Sequence, residues 1–179
     1  MGNPVRQRAI EGLAPGVTFT VSRTFSEVDT RAFGDLTRDY NPVHYDSSWI
    51  REKALDGRIC HGLLVGSMIC QVGGQLGWLA TGMSFRFVKP VYFGDTICCR
   101  FTITRVEDSG RAEAEAVFTN QSNLQVGVAS LSGRVPVGNE RLLLQQLVDA
   151  GDPDNPLARG EAGPAGEQSL AQSDTGGKG

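Results

Sequence analysis

Gly62-Leu63-Leu64-Val65-Gly66-Ser67-Met68-Ile69-Cys70-Gln71-Val72-Gly73-Gly74-Gln75-Leu76 is apolar almost all round. A helix of that composition is buried on most of its sides. The apolar neighbourhood, Ile59 to Val72, is broken by His61, Ser67 and Gln71 and falls short of the roughly 18 residues that a membrane span needs. It reads as a core helix. Each glycine in it costs about 1 kcal/mol of helix stability, which close approach of another element offsets. Gly62 marks the switch from polar to apolar sequence, and the first N–H groups of a helix have no intrahelical partner.

Upstream lies Asp39-Tyr40-Asn41-Pro42-Val43-His44. Pro42 keeps Asn41 out of helical geometry, so the chain bends there. Asp39 and His44 then project from one loop. A carboxylate, an imidazole and a helix N-terminus together make an acid–base site with donors for a developing anion. His44 and His61 are the two histidines of the protein, and both fall within this region.

Further out, Val17 to Phe25 alternate apolar and polar side chains and predict a first strand. Ser26 caps a helix that ends near Arg38, with Asp29 in the capping-box position and Val28, Ala32, Phe33 and Leu36 as its apolar stripe. Asp46, Ser47 and Ser48 offer caps for a short helix from about Trp49 to Leu55, a flap over the loop. From Met83 to Val135 the period is two: Ile97, Cys99, Phe101 and Ile103 share one face, as do Ala112, Ala114, Ala116 and Phe118. One strand, helices and then a run of antiparallel strands predict an α+β domain, its sheet wrapped on the Gly62 helix.

The 179 residues carry a net charge of -3, which gives no general attraction to nucleic acid or acidic membranes. The opening residues lack an apolar signal region, and Arg6 stands where a myristoylation signal has Ser or Thr. Cys60, Cys70, Cys98 and Cys99 form no CxxC pair, so they read as free thiols of a cytoplasmic protein. Residues 1–14 are an N-terminal extension and 15–149 the domain, with a short helix from Glu140 to Val148. Residues 150–179 hold seven glycines and three prolines with few large apolar side chains, and so predict a disordered tail.

The Asp39-x-Asn41-Pro42-x-His44 stretch, His61-Gly62 opening an apolar helix with Ser67 behind it, and Phe85-x-Phe87-x-Lys89-Pro90 running to Gly94-Asp95 resemble the MaoC-like (R)-specific enoyl-CoA hydratases. The resemblance covers roughly residues 15–136. It implies the hot-dog fold, an antiparallel sheet around a central buried helix, and interconversion of trans-2-enoyl and (3R)-3-hydroxyacyl thioesters. It also implies a homodimer or dimer-based oligomer, a coenzyme A or acyl-carrier-protein thioester as substrate, and no cofactor or metal. Asp39 and His44 are then the joint acid–base pair and Gly62 the oxyanion donor. Asn41, Ser67 and His61 support them: Asn41 holds the loop or the carboxylate, Ser67 orients Asp39 from the helix, and His61 bonds near the helix entry. Tyr40 and Phe85 wall the acyl pocket. Lys89, with Arg86, Arg100 and Arg105, meets the carrier's phosphates.

Water addition across a double bond conjugated to a thioester removes one proton from water and delivers one to carbon, work that suits a carboxylate–imidazole pair. Four other readings fit the same residue types. A hot-dog thioesterase would release a free thiol, and a non-catalytic acyl-thioester-binding subunit would bind without turnover. Asp39, His44 and His61 could also form a two-histidine, one-carboxylate iron triad, or Cys60 beside His61 a thiolate nucleophile.

Overall fold

In the computed structural model, which describes residues 4–159 and 170–173, the predicted strands assemble into one antiparallel sheet. Strand β1 is Thr18–Thr24, β2 Leu79–Phe87, β3 Thr96–Val106, β4 Arg111–Thr119, β5 Gln125–Arg134 and β6 Leu170–Ser173. Their order is β2-β5-β4-β3-β1-β6. The period-two faces behave as the alternation requires: Ile97, Cys99, Phe101 and Ile103 of β3 and Ala112, Ala114, Ala116 and Phe118 of β4 are all buried. The small alanines leave depth on that face for a helix to settle.

The helices are α1 (Pro4–Glu11), α2 (Glu27–Thr37), α3 (Ser47–Glu52), α4 (Gly62–Gly66), α5 (Met68–Leu76) and α6 (Asn139–Asp149). The capping box forms as expected: the Ser26 side chain accepts from the Asp29 N–H, and Asp29 accepts from the Ser26 N–H. The central helix departs from expectation by dividing at Ser67. There ψ is -12°, flatter than an α-helical ψ, and the Ser67 hydroxyl donates to the Leu64 carbonyl at 2.6 Å. Around the break Leu64, Val65, Met68, Ile69, Val72 and Leu76 are buried against the sheet.

Two glycines set how close that helix comes. A methyl group at Gly62 would fall 2.8 Å from Phe87 Cε2, and one at Gly66 would fall 2.8 Å from Phe85 Cε1. The phenylalanine rings, stacked with centroids 6.0 Å apart, occupy the space that side chains there would need.

The N-terminal extension contains a helix, and the segment just after residue 150 differs from the expectation of a disordered tail. Pro4–Glu11 is a helix whose Val5 and Ala9 are buried, and it packs against α5 and α6. Past residue 150, Asp152 and Asn155 are buried. Asp152 pairs with Arg6 of α1 at 2.9 Å. Asn155 donates to Asp152 at 2.7 Å and to Gln75 of α5 at 2.9 Å. A buried polar network thus ties both ends of the domain to the central helix, and Leu170–Ser173 adds a strand beside β1. Residues 160–169 and 174–179 of the expected tail lie outside the described residues.

Asp152 holds both Arg6 and Asn155 in a buried setting, and breaking such a charged network is costly. Asp152→Ala should therefore lower the stability of the full chain by about 3 kcal/mol, read from urea unfolding. A change within about 0.5 kcal/mol would show that this segment does not hold the domain together.

Candidate active site

α2 ends when Arg38 takes a left-handed conformation, φ 61°, and turns the chain away from the helix axis. Asp39 follows. Its Oδ1 accepts the Asn41 N–H at 3.2 Å, and the Asn41 side chain accepts the Val43 N–H at 3.2 Å. These successive Asx turns lead into a single turn of 3-10 helix, Pro42–His44. Asn41 therefore does hold both the loop, through its side chain, and the carboxylate, through its backbone.

His44 lies at the end of that turn, nearly buried. Its Nδ1 is 2.7 Å from the Ile59 carbonyl. A carbonyl only accepts, so Nδ1 carries the proton and Nε2 is the basic nitrogen of the neutral ring. His61 is buried as well, and its Nε2 is 3.0 Å from the Asp39 carbonyl. By the same reasoning Nε2 donates, which leaves Nδ1 as the lone-pair nitrogen; that atom is buried without a hydrogen-bond partner among the described residues. The two imidazoles lie against each other with centroids 3.8 Å apart. Asp39, half-exposed, keeps Oδ2 3.8 Å from His61 Nε2.

Asp39, His44 and His61 each place a polar atom within 4.8 Å of the others. The expected pair is thus brought together, and His61 joins it through the Asp39 backbone and the His44 ring. The three side chains offer the atoms of a cation site, although His61 Nε2 is committed to the Asp39 carbonyl. Burial lowers the proton affinity of His44 first, the Ile59 carbonyl raises it, His61 lowers it and Asp39 raises it; the net direction is downward from 6.5.

Behind His44 opens a cavity of about 400 Å³ between α4, the segment after β2 and the β4–β5 turn. His44, Gly62, Gly66 and Lys89 line it, with Leu55 and Ile59 of the flap and Phe87, Phe118 and Val126 of the sheet side. Gly62 opens α4 on this wall, so its N–H, without an intrahelical partner, belongs to the cavity's edge.

Several expectations need correction. Ser67 does not orient Asp39; its hydroxyl bonds back to Leu64. Tyr40 is exposed, its hydroxyl donating to Asp35 at 3.1 Å, and it does not line the cavity. Phe85 packs on Gly66 while Phe87 takes the wall position expected of it. Arg105 is paired with Glu107 at 2.7 Å. Cys60 lines the cavity, but burial pushes its thiol up to about 11, which leaves little thiolate for nucleophilic work near neutral pH. Cys60, Cys70, Cys98 and Cys99 are free, as expected.

Two contributors escaped the sequence reading. Tyr45 donates to the Asp39 carbonyl at 3.3 Å and crosses α2 where Gly34 leaves room for its hydroxyl. Ile59 holds His44 through its carbonyl as well as lining the cavity. A glycine facing an aromatic was a usable signal for the first; a backbone acceptor leaves none for the second.

The MaoC like domain family model matches residues 13–125. The chain is 27% identical over 131 residues to an (R)-specific enoyl-CoA hydratase of Aeromonas caviae, covering 71% of this chain and 96% of that protein. It is 33% identical over 87 residues to a mitochondrial 3-hydroxyacyl-acyl-carrier-protein dehydratase of Arabidopsis thaliana, covering 48% of this chain and spanning 52% of that protein's length. The solved structure of the A. caviae (R)-hydratase superposes with a TM-score of 0.66 at 27% identity, covering 70% of this chain and 99% of that one.

Because the folded state holds His44 below its ordinary 6.5, the unfolded chain binds more protons than the folded one below that pH. Stability therefore falls as the pH drops through 6.5 and toward the folded value. The urea midpoint should decline more steeply between about pH 7 and pH 5 in the native chain than in His44→Gln. Equal slopes would remove burial as the influence on this ring.

Proposed function

The chain belongs to the family of MaoC-like domains, which have the hot-dog fold, and from that membership and its cavity we propose that it is an (R)-specific hydro-lyase. It interconverts trans-2-enoyl-CoA and (3R)-3-hydroxyacyl-CoA. The observation that carries the reading is His44: its Nδ1–H is given to Ile59, its ring lines the apolar cavity, and Gly62 stands on the same wall.

In the hydration direction a water sits between Asp39 and His44. A water at about 2.8 Å from each of two groups bridges a gap of up to about 5.6 Å, and the polar atoms here lie within 4.8 Å. The pair takes a proton as the water oxygen bonds to C3. Electrons of the C2–C3 double bond move toward the thioester carbonyl, and the enolate oxygen receives the Gly62 N–H. A proton delivered to C2 completes the addition. Asp39 and His44 act as one proton-transfer unit, since both reach the same water.

Lys89, exposed at the cavity's edge, supplies a positive charge for the phosphates of coenzyme A or of a carrier's prosthetic arm. β2 is an outer strand of the sheet with Leu79, Met83 and Phe87 exposed. Pairing with a second copy along it would cover them and make a homodimer.

Asp39→Asn and His44→Ala should each lower turnover of crotonyl-CoA by about 10²–10⁴ while leaving the thermal transition of the protein cooperative. The assay follows loss of the conjugated enoyl absorbance, with a thiol reagent in parallel. Near-native rates in both variants would overturn the assignment. Release of free thiol would replace hydration by thioester hydrolysis.

A further inference from the structure

We propose that the cavity selects unsubstituted medium-length acyl chains, about six to ten carbons, over the four-carbon crotonyl group. The inference rests on the hydro-lyase reading of the site and concerns what that site prefers.

The wall is nearly uniform in chemistry. Leu55, Ile59, Val65, Phe87, Phe118 and Val126 surround the space, and polar side chains are confined to His44, Cys60 and Lys89 among its lining. The Cys60 thiol is only a weak donor and acceptor, a poor partner for a polar substituent. A hydroxyl, amide or charge on the acyl chain would meet no partner beyond the reacting end, and unpaired polar groups in such a site are strongly disfavoured. The ligand is therefore hydrocarbon past C3.

Volume sets the length. The cavity measures about 400 Å³, and a water-sized unit takes about 30 Å³ of liquid, so roughly a dozen such units fit. A crotonyl group would leave most of that space without contacts, while a chain of six to ten carbons plus the thioester fills it. Val126 and Phe118, both buried, belong to the sheet side of the lining. They mark where a longer chain meets the wall.

Each methylene moved from water to such a wall is worth up to about fourfold in binding. The four methylenes that separate octenoyl from crotonyl should raise kcat/KM at least tenfold, after allowance for imperfect burial. The same preference should appear without chemistry: octanoyl-CoA, which cannot be hydrated, should bind at least tenfold more tightly than butyryl-CoA by calorimetry. Val126→Phe should lower the octenoyl-to-crotonyl ratio at least fivefold. If that variant does not fold, the paired substrates and paired saturated ligands on the unaltered protein decide. Equal or better use of crotonyl-CoA, with butyryl-CoA binding as tightly as octanoyl-CoA, would overturn the inference. Tight octanoyl binding with no turnover of any enoyl-CoA would uphold the chain preference and remove the hydro-lyase reading instead.

Discussion

The close seat of Phe85 and Phe87 on the glycines of the central helix is the constraint on which the rest of the molecule depends. With no Cβ at Gly62 or Gly66, two aromatic rings rest on the helix backbone where any side chain would collide. Gly62 and Gly66 stand at the two ends of α4, where a glycine costs the helix less than in its interior; contact with the rings offsets that cost, although Phe87 stays half-exposed. One consequence is positional. Phe87 over Gly62 forms a wall of the cavity at the point where α4 begins, so the same contact that packs helix on sheet brings the first residue of α4 to the wall of a largely apolar cavity.

Backbone carbonyls organise the chemistry as much as side chains do. Ile59 fixes the tautomer of His44, and Asp39 fixes that of His61. Because Asp39 offers its carbonyl to His61 and its carboxylate toward the same cluster, displacing the loop would disturb both imidazoles together. Asx turns at Asp39 and Asn41 and the 3-10 turn at Pro42 resist that displacement. This accounts for Asp39, Asn41 and Pro42 in the stretch 39–44: the first two close Asx turns and the third opens the 3-10 turn that delivers His44.

The sheet was legible from residues alone because alternation on β3 and β4 is strict and its buried face carries no polar exceptions. The loop was legible because proline and asparagine act locally. What escaped depends on distant partners. Val5 and Ala9 are too few to announce an amphipathic helix, and short helices are marginal without tertiary support; α1 exists because α5 and α6 receive it. Asp152 and Asn155 look like ordinary tail residues until Arg6 and Gln75 meet them. Phe85 and Phe87 share a face, and periodicity cannot tell which one borders empty space. Ser67 was misread for a related reason: a serine in a helix bonds to its own backbone when nothing outside competes.

Apolar walls also link reactivity to selectivity. The lining that disfavours a charged His44 keeps the ring neutral, and hence basic, where an exposed histidine would be partly protonated. Its side chains also offer water few partners, and a low-dielectric wall strengthens the field of any polar group beside it. Replacing part of that wall with polar groups would loosen the fit to a hydrocarbon chain and raise the proton affinity of the base together. Neither property can then be tuned alone through the lining residues; independent control has to come from a position such as Asp39, whose carbonyl holds His61 and which lies outside the lining.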